Sequence, residues 1–278
     1  MRTIIAVFFR QLFKIKYLKA TYFGFYKKIF EPFNLFKGVT VKVLYRTQIK
    51  LNLHIDDWIQ QNLYFLNEYE EKEIKFVEKY LKKDDVFIDV GANIGLYSLV
   101  AAKQIEGGKV YAFEPIKKNS DSLLYNIKLN KPINIIVEKL AVSDNEKNLI
   151  LYLDENEKNN GMATAYADTF TYNETVPCTS LDFYFANKDI SAVKLIKIDI
   201  EGGEYNAVIG MQNILKKYKP TLLIEINPDA PYDENILESL LFEMGYKKYY
   251  LDERSSPINT KLAGDNSCNY LFSCDSKI

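Results

Sequence analysis

The chain has 278 residues, 47% hydrophobic and 26% charged, which suits one α/β domain with an N-terminal extension. Its net charge of −1 is unevenly spread: residues 1–40 hold eight bases (Arg2, Arg10, Lys14, Lys16, Lys19, Lys27, Lys28 and Lys37) and one acid, Glu31. The rest holds 28 of the 36 bases against 36 of the 37 acids, an acidic body that argues against a nucleic-acid partner, since phosphate contacts need clustered lysine and arginine.

Residues 3–30 read as helical, with Ile4, Ile5, Phe8, Phe9, Leu12, Phe13 and Ile15 on one half of the wheel and Arg10 and Lys14 opposite. Two readings follow. The apolar half packs on the domain or on a second subunit, as most amphipathic helices do, or residues 1–38 make a peripheral membrane contact. Arg10 interrupts the run Ile4–Phe9 too early for a signal peptide, and no stretch approaches the ~18 apolar residues of a membrane span. With Cys178, Cys268 and Cys274 forming no Cys-x-x-Cys pair, the expectation is a cytoplasmic protein with reduced thiols, peripheral at the inner face of the membrane on the second reading.

Residues 39–55 alternate as a β-hairpin: Val39, Val41 and Val43, then Ile49, Leu51, Leu53 and Ile55. Residues 1–60 are therefore read as an extension and 61–278 as the main domain. A helix is expected at about 67–82, then strands near 86–90, 109–113, 134–138, 194–199, 221–226, 246–251 and 269–273. Helices fall between them near 95–105, 118–129, 204–217 and 233–244. Strands separated by helical segments imply right-handed βαβ units and a parallel sheet. Residues 147–180 break the rhythm with two strand-like runs around Asp154–Gly161 and read as a hairpin insertion on the sheet rim.

The chemistry centres on Val86-Phe-Ile-Asp-Val-Gly-Ala-Asn-Ile-Gly95, a buried strand running through a small-residue turn into a helix. Gly91 and Gly95 free the turn of side-chain bulk. A nicotinamide site would show Gly-x-Gly-x-x-Gly facing pyrophosphate. Here the pattern is Gly91-Ala92-Asn93-Ile94-Gly95 behind an acid, Asp89, which suits a cationic ligand, and S-adenosylmethionine carries an ammonium and a sulfonium. The next strand ends in Glu114-Pro115, about where a carboxylate accepts hydrogen bonds from a ribose diol. Glu114 alone does not separate the two cofactors.

After the third strand, Ala141-Val142-Ser143-Asp144 lies where an adenine ring rests or forms an ordinary turn. The fourth strand runs Leu195-Ile-Lys-Ile-Asp199-Ile-Glu201-Gly-Gly-Glu204, three acids at the carboxyl end of a central strand, beside the switch point where open sheets bind ligands. Asp199 is the first choice for a base or orienting group, also facing the donor, with Glu201 and Glu204 next. Glu204 alternatively caps the following helix. No metal is expected: the single histidine, His54, sits in the hairpin away from every motif. Oxygen ligands from Asp199, Glu225 and Asn227 would suit Mg²⁺ as the weaker alternative.

Five stretches in matching order resemble the FkbM-family methyltransferases: Phe87–Gly95, Ala112–Pro115, Ala141–Asp144, Thr179–Asp182 and Ile196–Glu204. The resemblance spans roughly residues 68–227. It implies a class I methyltransferase (Rossmann-like) fold, a seven-stranded mostly parallel sheet with helices on both faces. It also implies S-adenosylmethionine as donor and a hydroxyl acceptor on a sugar, a glycan or a natural product. Asp89, Gly91 and Gly95, with Ala92 and Asn93 between them, would line the methionine and ribose, and Glu114 would hold the ribose hydroxyls. Where such proteins often carry a histidine after the fifth strand, this chain has Asn227. The rivals are a nicotinamide-dependent oxidoreductase and a protein that binds S-adenosylmethionine without turnover. The oligomeric state is not legible.

Overall fold

The computed structural model describes residues 1–153, 172–190, 192–228, 230–265, 267–276 and 278. Two compact units are distinguished, Met1–Glu71 and the residues from Lys72 onward.

The first unit begins with α1 (Arg2–Leu12), the one-turn helices α2 (Lys16–Lys19) and α3 (Tyr22–Phe25), and a π-helical turn at Tyr26–Phe30. The expected hairpin follows as β1 (Thr40–Tyr45) and β2 (Ile49–His54), in register Val41↔Leu53 and Val43↔Leu51. Its alternation buries Val43, Tyr45, Ile49, Leu51 and Leu53. Helix α4 (Trp58–Phe65), outside the expected elements, starts at Asp57, whose carboxylate accepts from the Gln60 amide at 2.9 Å. Asp57 with Gln60 three residues on has capping-box spacing, so the signal was present, although the Gln60 side chain accepts from the His54 amide rather than from Asp57. Phe13, Phe30 and Phe65 form an aromatic core, with Phe30 and Phe65 stacked at 5.6 Å. His54 lies across the hairpin from Thr40, Nδ1 3.1 Å from the hydroxyl.

The second unit is a twisted sheet wrapped by helices. Helix α5 (Glu71–Tyr80) leads into β3 (Val86–Val90), α6 (Leu96–Gln104), β4 (Lys109–Phe113), α7 (Lys117–Asn130) and β5 (Ile135–Glu138). A small three-stranded sheet follows, β6 (Ala141–Val142), β7 (Lys147–Leu153) and β8 (Tyr172–Thr179), with β7 and β8 antiparallel. These two strands fall within the 147–180 segment, and Asp154–Gly161 lies outside the described residues. The main sheet resumes with α8 (Leu181–Phe185), β9 (Val193–Ile198), α9 (Glu204–Ile209), α10 (Gln212–Tyr218), β10 (Thr221–Glu225), α11 (Glu234–Glu243), β11 (Lys247–Leu251), β12 (Pro257–Ile258) and β13 (Asn269–Ser273).

The strand order is β12-β11-β13-β10-β9-β3-β4-β5. From β5 to β10 every neighbour is parallel, and β13 inserts antiparallel between β10 and β11. The seven expected strands are all there, with the two-residue β12 as an added edge. Val86, Ile88 and Val90 bury on one face with Ile196, Ile198, Leu222 and Ile224, against Leu181, Ala207, Val208, Leu215 and Leu237 from the helices that follow. Ala112 and Leu123 pack on the other face. The helix expected over 204–217 is two helices, broken at Gly210–Met211. A Cβ on Gly210 would stand 1.9 Å from the Ser143 carbonyl oxygen, so the chain needs a glycine there. The order reverses direction between β3 and β9, and the crevice lies at their carboxyl ends.

Candidate functional site

The glycine turn is built on β3 and lashed to β4: the Gly91 and Ala92 amides both donate to the Phe113 carbonyl at 3.0 Å. Gly91 and Gly95 have φ of 83° and 87°, angles that L side chains rarely adopt. Their missing side chains leave room for protein. A Cβ on Gly91 would fall 1.8 Å from the Asp199 carbonyl oxygen, and one on Gly95 2.3 Å from Leu123 Cδ1. The turn is thus set by contact with β9 and α7. Asn93, at φ 49°, completes it, and the buried Asn126 side chain donates to the Ile94 carbonyl at 3.0 Å.

The acids at the strand tips divide by what holds them. Glu114 is buried, with Oε2 accepting from the Asn93 amide at 2.8 Å and Oε1 from the Ile116 amide at 2.9 Å. It therefore joins the glycine turn to the segment after β4. Burial pushes its pKa up to about 7, against the opposing pull of those amides and of Asn119. Three donors leave about one of the four acceptor positions of a carboxylate.

Asp89 is wholly buried: Ser98 donates to its Oδ2 at 2.6 Å, and its Oδ1 has no partner among the described residues. Burial raises its pKa, and the Lys197 charge works against that rise. Asp89 therefore lies beneath the turn rather than on its open side, with one acceptor unspent.

Lys197 faces Asp89 in the β3–β9 register and is 3% exposed. Its ammonium lies 2.7 Å from Asp199 Oδ2 and 4.6 Å from the centre of the Tyr97 ring. Asp199, 22% exposed, remains open to the crevice. Burial alone would raise its pKa, but Lys197 and a hydrogen bond with Glu225 outweigh that and hold it below the usual carboxylate range. Carboxylate oxygens of Asp199, Glu201 and Glu225 all lie within 4.8 Å of one another. Glu201 is held at φ 51° and Gly202 at φ 100°. A non-glycine residue there costs of order 1–3 kcal/mol and persists only where its surroundings impose it.

The remaining candidates are drawn into local structure. Glu204, buried at the start of α9, accepts from the Ile200 and Gly202 amides at 3.2 and 3.1 Å and from the Tyr232 hydroxyl at 2.9 Å. Burial raises its pKa. Those amides lie in the loop ahead of α9 rather than in its first turn, so Glu204 fastens the acid loop and ties it to Tyr232 instead of capping the helix. Asp144 receives Lys147 at 2.7 Å and Ser143 at 3.0 Å, and the Lys147 bond lowers its pKa. That is the turn alternative at this position. Ala141 and Val142 are buried in β6, and Pro115 directly follows Glu114. Lys197, Ser98, Asn126 and Tyr232 escaped the sequence reading. Lys197 carried a signal, a base flanked by Leu195, Ile196 and Ile198 in a buried parallel strand, where an ammonium needs a partner.

At the strand tips Asp199, Glu201 and Glu225 cluster against one lysine, Lys197, with Asp89 and Glu114 buried. That set suits a ligand bearing an ammonium and a sulfonium, and it would repel a pyrophosphate. The spare acceptor of Glu114 gives a donor-rich ligand a place to bond.

The family model described as Methyltransferase FkbM domain matches residues 89–248. The hexuronic acid methyltransferase AglP of Haloferax volcanii is 24% identical over 174 residues, covering 63% of this chain and 68% of that protein. The solved structure of methyltransferase FkbM from Methylobacillus flagellatus is 16% identical with a TM-score of 0.48, the likeness covering 78% of this chain and 55% of that one. TYW2 of M. jannaschii, solved in complex with AdoMet, is 17% identical with a TM-score of 0.41, covering 81% of this chain and 80% of its own.

Proposed function

The chain belongs to the FkbM methyltransferase family, whose methyl donor is S-adenosylmethionine, and we propose that it methylates a hydroxyl of a sugar, a glycan or another small natural product. The family removes the nicotinamide alternative. The observation that carries the reading is Asp199, a carboxylate kept ionised by a buried lysine at the switch point, against the glycine turn. AglP is named for methylating a hexuronic acid, which supports a sugar-like acceptor.

When bound, S-adenosylmethionine supplies a methyl group already made electrophilic by its sulfonium. The protein's work is to place the acceptor and take its proton. The turn Asp89–Gly95 and Glu114 hold the donor, with Ala141, Val142 and Asp144 nearby after the third strand. The Asp199 carboxylate orients the acceptor hydroxyl and receives its proton. Lys197 keeps that carboxylate charged, and its hydrogen bond with Glu225 acts in the same direction. Glu201 adds a second acceptor for acceptor hydroxyls, while Glu204 acts through the loop it fastens. The same acidic rim disfavours a carboxylate as the methylated group, because like charges repel across a low-dielectric crevice. An ether product is therefore expected.

Alignment supplies roughly 7–11 kcal/mol of a bimolecular barrier, and a positioned base about 10²–10⁴-fold in rate. Asp199→Asn should thus lower kcat by about 10²–10³-fold with donor affinity within about three-fold. The test follows labelled methyl from S-adenosylmethionine into hexuronate-containing glycans and a cell-envelope fraction. Label that survives mild alkali marks an ether, and label released by it marks an ester and ends the hydroxyl assignment. Calorimetric binding of S-adenosylhomocysteine without transfer to either fraction would favour the non-catalytic rival. Activity after EDTA treatment is expected to persist. Its loss would turn the three-carboxylate cluster into a cation site.

A further inference from the structure

In the first unit α1 is apolar on two sides. Ala6 and Phe13 face inward and are buried, with Phe9 partly so. Ile4, Val7 and Phe8 face outward, with Ile4 74% and Phe8 61% exposed. Spacings of three and four make them neighbours on one stripe. Exposed Ile15, Tyr17 and Phe33 follow in the chain. The sequence offered packing or membrane contact for one apolar half, and the structure splits that half between the core and the outside.

The bases of the segment separate in the same way. Lys19 is paired with Glu68, Arg10 lies 4.7 Å over the Tyr64 ring, and Lys27 lies 4.6 Å over the Phe23 ring. Lys14, Lys16, Lys28 and Lys37 are exposed and form no ion pair among the described residues. Unsatisfied bases thus alternate along the chain with exposed apolar side chains, whereas the rest of the sequence is acidic. A symmetric contact with a second copy would set this basic segment against itself. A nucleic acid would satisfy the bases and leave an aliphatic stripe in water. An anionic lipid surface takes both.

We infer that the outward face of α1, with Lys14, Lys16 and Lys28, docks the protein on an anionic bilayer. Helix α1, about 16 Å long at 1.5 Å per residue, lies in the plane of the interface. No helix among the described residues is long and apolar enough to cross a membrane, so this contact is peripheral. Ile4, Val7 and Phe8 enter the headgroup region while the lysines meet lipid phosphates. The acidic remainder of the chain gains nothing from the same surface, so the attraction comes from the basic segment. The inference is independent of the reaction assigned to the crevice.

The test is co-sedimentation of the full chain with vesicles of phosphatidylcholine alone and of phosphatidylcholine mixed with phosphatidylglycerol. Binding to the mixed vesicles, weakened by salt, is expected, with little to the neutral ones. Ile4→Glu/Phe8→Glu should lower it at least ten-fold. Lys14→Glu/Lys16→Glu should also lower it, by about five-fold for each charge removed. Unchanged S-adenosylhomocysteine affinity shows that a variant is folded, and if the first fails that check the lysine variant decides alone. Equal binding to both vesicle types, or full binding by either folded variant, overturns the inference. So does a lipid-free dimer that Ile4→Glu/Phe8→Glu converts to monomer, because a second copy would then cover the stripe.

Discussion

The two banks of the crevice handle their carboxylates in opposite ways. On the glycine-turn bank, Glu114 is held by backbone amides and its pKa is raised to about 7. On the acid bank, Asp199 is held by an ammonium and its pKa is lowered. Both groups are largely withdrawn from water, so burial alone does not separate them. Amide donors fix where a carboxylate sits and leave its charge sensitive to pH, whereas a buried ammonium fixes the charge as well. The first arrangement suits a group that grips a ligand, and the second a group that must be ready to take a proton.

Removing the ammonium should break the contrast. In Lys197→Met, Asp199 loses its counter-charge and its pKa should rise as Glu114's does, moving the acid limb of the kcat–pH profile upward. Breaking a buried pair on one side costs about 3–5 kcal/mol, read as a lower denaturation midpoint. A double variant, Lys197→Met/Asp199→Asn, should recover part of that stability without activity. Full stability in the single variant would show that the pair does not set the charge of this bank.

The glycine-turn bank is sharpened by pH. Glu114 holds a proton in the folded protein up to about 7, while its ordinary value is 4.5. Between those values the folded state binds the proton that the unfolded state releases, so stability is greatest below 4.5 from this group and is lost as pH rises through 7. The full shift corresponds to on the order of 3 kcal/mol. Melting of the ligand-free protein across that window should show this slope superimposed on other titrations, and Glu114→Ala should flatten it and weaken S-adenosylhomocysteine binding at least ten-fold. An unchanged affinity in a folded Glu114→Ala protein would remove this residue from the donor site.

The smallest expected effect on stability concerns Glu201. Asparagine tolerates the left-handed region better than glutamate, so Glu201→Asn should change stability by less than about 1 kcal/mol. Activity should nevertheless fall about ten-fold if the strain is kept for the carboxylate. Unchanged kcat would assign the strained angle to the loop alone.

Much of this was written in the residue pattern. The glycine turn, Glu114 and the strand-helix alternation were legible because they follow from local rules, small residues where a strand turns into a helix and apolar runs where strands are buried on both faces. The division among the acids was not. The strand end ranks Asp199 ahead of Glu201 and Glu204 in sequence, but only the fold turns Glu204 back onto the Ile200 and Gly202 amides and sets Asp199 beside Lys197. Likewise the register Asp89↔Lys197 joins residues far apart in the chain, and no short-range pattern announces it. Helix α4 was missed for the opposite reason, since its capping signal was local but the helix is short. The break at Gly210 depended on a distant partner, the Ser143 carbonyl.

The carbonyl of Asp199 occupies the place a side chain on residue 91 would need, and that intimacy has a mechanical consequence. Any side chain at residue 91 would have to part the glycine turn from the acid loop, so a single substitution on one bank would disturb both.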